Sequence, residues 1–127
     1  MPTENKSLKV ECTIPVLPVS DLAASVEFYT DILGFSLDWG DVQNDSVCSV
    51  SRDGRPIMLM KRPAPSPPTW VWIGLEDDSL FDEVRAKGVK VLQEPLNRPW
   101  AYEMKIADID GNVLWLGSEP RANEAST

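Results

Sequence analysis

The sequence contains no histidine among its 127 residues and only two cysteines, Cys12 and Cys48. A zinc site normally uses at least one imidazole or thiolate. An all-oxygen magnesium site needs carboxylates that converge, whereas the acidic residues here fall in predicted turns and helix starts. Two cysteines are too few for a disulfide framework, so we expect reduced thiols buried in strands of a cytoplasmic protein. The composition therefore predicts neither a metal nor a cofactor.

Long apolar runs and an excess of basic residues are also missing. No run approaches the roughly 18 residues that span a bilayer, and no apolar segment follows the first residues as it would in a signal peptide. The chain has 12 basic and 20 acidic residues, for a net charge of −8, whereas a nucleic-acid-binding surface is basic. We therefore expect neither a membrane nor a nucleic acid as partner, and an acidic surface that attracts cationic ligands.

Motifs of catalysis are scarce as well. The sequence has no Gly-rich phosphate loop and no Gly-x-Ser-x-Gly elbow, and without histidine it cannot assemble a Cys/His or Ser/His pair. A mechanism that uses carboxylates alone, through Asp38 or Glu103 with Tyr102, stays open. The sequence thus favours a protein that is not an enzyme.

Tryptophan is the residue type that stands out. Five of the ten aromatic residues are tryptophans, and two of them lie in the β-branched and aromatic stretch 69–75, which is typical of a strand. Because side chains alternate along a strand, Trp70 and Trp72 share one face while Val71 and Ile73 occupy the other. Both indoles could be ordinary core residues, or they could line a face that holds a flat aromatic ligand.

Two similar halves are predicted along the chain. The first has a strand at 11–19 that lies at an edge or leaves the sheet at Pro15, a helix from the Ser20-Asp21 cap to about Leu33, and strands at 35–39, 47–52 and 56–60. Asp53-Gly54 predicts a two-residue hairpin turn. The second half has strands at 69–75, 89–92, 100–107 and 113–117, a helix at 76–87, a loop at 93–99 and a turn at 110–112.

This order predicts one domain over 1–127 that contains an internal βαβββ repeat. The repeats cover about 11–61 and 69–118, a stiff proline linker joins them at 62–68, and polar tails occupy 1–9 and 119–127. Neither repeat could bury both faces of its sheet alone. We therefore expect an α+β fold with a curved mixed sheet, helices outside and a cleft inside.

The layout and several segments resemble the vicinal-oxygen-chelate superfamily, which includes glyoxalase I and the bleomycin-resistance proteins. The resemblance covers about residues 11–118, and the bleomycin-binding branch is the most similar part of the family. The segments that carry it are Ile14-Pro15-Val16-Leu17, the helix and strand at 26–39, Trp70-Val71-Trp72-Ile73, Arg98-Pro99-Trp100 and Asp108-Ile109-Asp110-Gly111-Asn112.

The resemblance implies a homodimer with two clefts at its interface. In the bleomycin-binding branch the first strand is often exchanged between subunits, and Pro15 matches the hinge of that exchange. Enzymes of the superfamily hold a divalent metal at four strand positions, and none of the residues at those positions can ligate a metal: Ile14, Leu59, Trp70 and Trp115.

The resemblance also implies a ligand site for a planar, cationic antibiotic of the bleomycin type. Asp38 would pair with the cation, and Trp39 and Trp100 would sandwich the rings. The other predicted ligand-binding residues are Trp70, Trp72, Tyr102 and Trp115. Two alternatives stay open: a metal-dependent enzyme of the glyoxalase or dioxygenase kind, and a non-catalytic member that binds another aromatic small molecule.

Overall fold

The protein consists of two βαβββ units, as the repeat predicts. The computed structural model describes residues 8–63 and 66–122, and in these ranges it has eight strands and two helices. The first unit contains β1 (Val16–Val19), α1 (Leu22–Asp31), β2 (Ser36–Trp39), β3 (Val47–Arg52) and β4 (Arg55–Lys61). The second contains β5 (Trp70–Gly74), α2 (Ser79–Ala86), β6 (Val91–Asn97), β7 (Tyr102–Ala107) and β8 (Val113–Ser118).

Each unit forms its own four-stranded mixed sheet. The strand orders are β1-β4-β3-β2 and β5-β8-β7-β6, so the same topology occurs twice. In both sheets the first strand runs parallel to the last, and the other neighbours are antiparallel. The predicted sheet is therefore two sheets of equal topology, and the α+β class is confirmed.

One hydrophobic core joins the two units. It takes buried residues from both helices and from one face of each sheet, including Tyr29, Leu33, Leu59, Leu114 and Leu116. Full burial of one such aliphatic side chain contributes about 1.5–3 kcal/mol. Since one face of each sheet is committed to this core, the opposite faces are left to other contacts.

A helix cap and a hairpin turn lie where the sequence predicts them. Asp21 caps α1, because its carboxylate accepts a hydrogen bond from the Ala24 backbone N–H at 3.1 Å. Asp53 and Gly54 both have positive φ, 53° and 75°, and they join β3 to β4 in the two-residue turn that Asp-Gly favours. Neither helix of the described chain is long and apolar enough to cross a membrane.

A buried carboxylate ties the two units together. Asp108, in the turn after β7, accepts hydrogen bonds from the Tyr29 hydroxyl at 2.8 Å and from the Asn112 amide nitrogen at 2.9 Å. The same amide nitrogen donates to the Pro18 carbonyl at 2.9 Å, and Asn112 Oδ1 accepts from the Thr69 backbone N–H at 3.0 Å. We call this network the Asp108 clasp.

The Tyr29 hydroxyl stays protonated in the clasp and donates its hydrogen bond. Burial, and then the neighbouring Asp108 carboxylate, raise the pKa of Tyr29 well above that of a free tyrosine. The phenol therefore remains protonated, and its hydrogen bond to Asp108 is charge-assisted. The bond links α1 of the first unit to the β7–β8 turn of the second.

Some sequence predictions were wrong at the element level. The first strand begins at Val16, later than predicted, and Cys12 lies ahead of it and is exposed. Cys48 is buried in β3 as expected, and burial raises the pKa of its thiol. The predicted loop at 93–99 is mostly strand, since β6 continues to Asn97. Its Pro95 is tolerated because β6 is an edge strand with register shifts, so no ladder bond is required there.

The chain joins the first sheet at Pro15. The Pro15 carbonyl accepts a hydrogen bond from the Met58 backbone N–H at 2.9 Å, one residue before β1 starts. Proline cannot donate to the ladder, but its carbonyl can accept. The strand was expected to lie at an edge or to leave the sheet at Pro15, and β1 is an edge strand of the first sheet. The linker residues 64–65 and the tail residues 1–7 and 123–127 lie outside the described residues.

Candidate functional site

The face of the second sheet that points away from the core carries a row of large side chains. Strand register places Trp72 beside Trp115, Trp115 beside Lys105, and Lys105 beside Gln93. Directly opposed residues on neighbouring strands project from the same face. Trp70 belongs to this face too, two residues before Trp72. We call this surface, with Glu103, the tryptophan face.

The three indoles of this face are packed edge to face. The Trp115 ring lies 6.1 Å from Trp70 and 5.2 Å from Trp72 between centroids, and both interplanar angles are 82°. Edge-to-face packing contributes about 0.5–1.5 kcal/mol per pair beyond burial. Trp115 is half-buried in the middle, while 57% of Trp70 and 47% of Trp72 stay exposed. Two of the three indoles therefore offer ring surface to a ligand.

A buried carboxylate fixes the central indole. The Trp115 Nε1–H donates a hydrogen bond to Glu103 Oε2, and Arg98 Nε lies 3.4 Å from Glu103 Oε1. The Glu103 side chain is only 2% exposed. Burying a carboxylate is costly unless it is paired, and here both oxygens have a partner. This arrangement sets the orientation of the Trp115 ring.

Trp100 occupies the tip of the β6–β7 hairpin. The Arg98 backbone N–H donates to the Ala101 carbonyl at 2.8 Å, so Pro99 and Trp100 are the two residues that turn the chain. Trp100 is 63% exposed. The Arg98 guanidinium carbon lies 5.8 Å from its ring centroid, within cation–π range. Arg98 thus connects Trp100 to the Glu103 carboxylate.

Tyr102 does not lie on the tryptophan face. Its ring stacks on Phe81 of α2 at 5.5 Å and 20°, and the Arg121 guanidinium lies 3.9 Å above it. The alternation of β7 sends Tyr102 toward the helix and its neighbour Glu103 toward the tryptophans. The structure therefore separates Tyr102 from the other predicted ligand-binding residues.

Asp38 and Trp39 lie on β2, at the edge of the first sheet. Both carboxylate oxygens of Asp38 accept hydrogen bonds, from Ser49 Oγ at 3.0 Å and from Ser51 Oγ at 2.6 Å. Trp39 is 50% exposed. In the described chain these residues are on a different sheet from Trp100. A single chain therefore places the two halves of the predicted sandwich on different sheets.

The positions at which the superfamily's enzymes hold metal carry unsuitable side chains. Trp70 and Trp115 lie on the tryptophan face, and Ile14 precedes β1. Leu59 is fully buried in the core, so its neighbours Met58 and Met60 face outward on β4. In residues 8–63 and 66–122, no three histidine, cysteine or carboxylate side chains come together as a metal site. These residues do not fit the divalent metal of the family's enzymes.

Comparison with known proteins identifies the family. The chain belongs to the glyoxalase/bleomycin resistance protein/dioxygenase superfamily, whose model matches residues 12–116. A comparison with curated protein sequences finds no match.

Similar solved structures extend over nearly the whole fold. TioX from Micromonospora sp. ML1 has a TM-score of 0.75 at 16% identity, covering 87% of this chain and 99% of TioX. TnmS3, an antibiotic binding protein from Streptomyces sp. CB03234, has a TM-score of 0.69 at 25% identity, with 87% and 99% covered. An integron cassette protein from the Halifax Harbour sewage outfall metagenome has a TM-score of 0.75 at 24% identity, with 86% and 99% covered.

Glycine makes room for one of the indoles. A Cβ atom on Gly117 would lie 2.0 Å from Cη2 of Trp72, whereas one on Gly74 would lie 3.3 Å from its Nε1. Gly74 and Gly117 are register neighbours on β5 and β8. The Trp72 ring therefore rests over two adjacent backbones that carry no side chain.

The substitution Gly117→Ala should displace the Trp72 ring while the fold is kept. Trp72 is half exposed and can rotate away, so we expect the free energy of unfolding to fall by no more than about 1 kcal/mol. The indole N–H signals of Trp72 and Trp115 should shift in a ¹H–¹⁵N spectrum. Gly74→Ala is the matched control and should shift them far less. Equal shifts in the two variants would contradict this packing.

Proposed function

We propose that the protein binds and sequesters a planar aromatic antibiotic of the bleomycin type, without catalysing a reaction. The observation that carries the proposal is the tryptophan face, where Trp70 and Trp72 present exposed rings around a Trp115 ring fixed by Glu103. Indoles stack planar rings over a wide area and lose little side-chain freedom. TnmS3, whose fold is similar, is an antibiotic binding protein.

A homodimer would complete the site. Large apolar side chains are exposed on both sheets, which is typical of surfaces that become covered: Val16, Leu37, Trp39, Trp70, Trp72, Leu96 and Trp100. If the first sheet of a second copy faces the tryptophan face, Asp38 and Trp39 come opposite Trp100. Exchange of the first strand about Pro15 would strengthen this contact. We place this dimer in the cytoplasm.

The side chains favour binding over catalysis. The superfamily's metal positions hold apolar and indole groups, and the buried Glu103 carboxylate is occupied by Trp115 and Arg98. A general base needs to be within hydrogen-bond reach of the proton that it removes. Tyr102, the partner considered for such a carboxylate, faces α2. No feature of the described chain specifically favours the enzyme alternative.

Bleomycin titration of wild type and of Trp100→Ala tests the proposal. The drug carries a planar bithiazole and a cationic tail, and loss of an aromatic contact that dominates binding costs about 2 kcal/mol or more. We therefore expect calorimetry to give a Kd at least about thirtyfold higher for the variant. Ile109→Ala, an exposed apolar residue in the β7–β8 turn, is the control and should bind like wild type. Absence of heat with wild type at micromolar drug would refute bleomycin binding.

A further inference from the structure

We infer that the ligand of the tryptophan face carries an anionic group, such as a carboxylate, on its planar ring system, and that Lys105 binds that group. This inference rests on the proposed binding of a planar aromatic ligand, and it departs from a purely cationic drug by placing an acid on the stacked ring. The Lys105 ammonium nitrogen lies 5.3 Å from the Trp70 ring centroid and 4.8 Å from that of Trp115. The cation is therefore held at the edge of the stacking surface.

Lys105 is available for a ligand. Within residues 8–63 and 66–122, its ammonium makes no hydrogen bond to a side chain or carbonyl and no ion pair. Its contacts are the two indole rings. A cation over an indole is stabilised by about 0.5–2 kcal/mol, and this contact keeps the ammonium in place. The N–H groups of the ammonium remain free to donate hydrogen bonds.

The nearby Glu103 carboxylate does not pair with Lys105. Glu103 accepts from Trp115 at one oxygen and lies 3.4 Å from Arg98 Nε at the other. At that distance Arg98 and Glu103 form an ion pair. Arg98 Nε is shielded from solvent and makes no hydrogen bond, so its N–H does not point at the Glu103 oxygen. Two cations and one carboxylate leave this face with one net positive charge, in a chain whose total is −8.

A second unpaired donor lies beside Lys105. Gln93 is its register neighbour on β6, and the Gln93 side-chain nitrogen is buried without a hydrogen-bond partner among the described residues. Leaving a buried donor unpaired costs about as much as a lost hydrogen bond. The Lys105 ammonium and the Gln93 amide are thus two neighbouring donors of this face that lack acceptors. An acidic or acceptor-bearing ligand satisfies them, and a purely cationic one does not.

The placement of the rings suits a compact aromatic anion. A ring held against Trp70 brings a carboxylate on its edge toward the ammonium, because the nitrogen is already 5.3 Å from that indole centroid. Asp38 remains the group for a cationic substituent, since it belongs to the first sheet and not to this face. The ligand that both surfaces would accept is therefore amphoteric, with its acid on the stacked ring.

Three probes of one ring size test the inference: 2-naphthoate, neutral 2-naphthamide and 2-naphthylmethylammonium. We expect the indole N–H signals of the wild-type protein to give a Kd for naphthoate about tenfold below that for the ammonium probe, as a charge-assisted hydrogen bond would produce. Lys105→Met keeps the length of the side chain and should abolish this preference, while naphthamide binds as before. Lys61→Met removes the same charge from β4 of the first sheet and should keep the preference.

The outcomes separate this inference from the proposed function. If naphthamide binds but the charged probes have equal affinities, or if Lys105→Met keeps the preference for the anion, the inference is overturned and aromatic binding stands. If none of the three probes shifts an indole signal at millimolar concentration, both the inference and the proposed stacking function are overturned.

Discussion

Replacing Asp108 by alanine should lower the free energy of unfolding by about 3–5 kcal/mol, because four donors lose a buried, charged acceptor at once. These donors are the Tyr29 hydroxyl at 2.8 Å, the Asn112 side chain at 2.9 Å, and the backbone N–H groups of Asp110 and Asn112, each at 2.9 Å. The hydroxyl belongs to the other repeat, so the contact between repeats weakens too. Urea unfolding followed by far-ultraviolet circular dichroism measures the change.

Two further variants calibrate that result. Tyr29→Phe removes a single donor and leaves the acceptor with three others, so we expect a loss of about 1–2 kcal/mol. Asp82→Ala removes an exposed carboxylate from α2 and should change the free energy of unfolding by no more than about 0.5–1 kcal/mol. A loss below about 1 kcal/mol for Asp108→Ala would mean that the clasp does not hold the repeats together.

The second large effect is expected for Gly40→Ala, which should cost about 3 kcal/mol or more. Gly40 follows β2 with φ of 109°, a conformation that side chains of L-residues rarely allow. An added Cβ would also lie 2.5 Å from Cβ and 2.8 Å from Cα of Cys48. Since part of this clash is with backbone, β2 and β3 must move apart. Thermal unfolding should show a Tm lowered by more than about 8 °C.

Gly54→Ala is the matched control for this substitution. Gly54 also has positive φ, 75°, but no atom lies within 4 Å of an added Cβ. Its cost should therefore be the conformational part alone, about 1–2 kcal/mol. The difference between the two variants isolates the steric contact with Cys48. Equal losses would show that β2 and β3 are not in close approach at Gly40.

Local sequence signals were sufficient for most of the fold. The Asp21 cap, the Asp53-Gly54 turn and the β-branched strand with Trp70 and Trp72 each depend on a few neighbouring residues, and each lies where it is predicted. The repeat also followed from the sequence, because the same order of helix, strands and Asp-Gly turn occurs twice. Pro95 was misread, since proline is excluded from central strands but not from the edge position that β6 occupies.

The site was harder to predict because it depends on register between strands. The resemblance predicts Trp70, Trp72 and Trp115 as ligand-binding residues, whereas the sequence suggests Glu103 only as an acid and gives no signal for Lys105. Alternation along β7 places both of these residues on one face. The sequence could have indicated this if the register between β7 and β8 had been predicted. Tyr102 fell on the other face because a shift of one residue reverses the direction of the side chain.

The Asp108 clasp also has a consequence for the chain between the repeats. Asn112 binds both the Pro18 carbonyl near the end of β1 and the Thr69 backbone at the start of β5, and the Arg62 N–H is bound to the Val19 carbonyl at 2.8 Å. Both ends of the proline segment are thus anchored by contacts that do not depend on its length. Doubling such a loop costs only about 0.6 kcal/mol of closure entropy, so we expect this linker to accept inserted residues without loss of the fold.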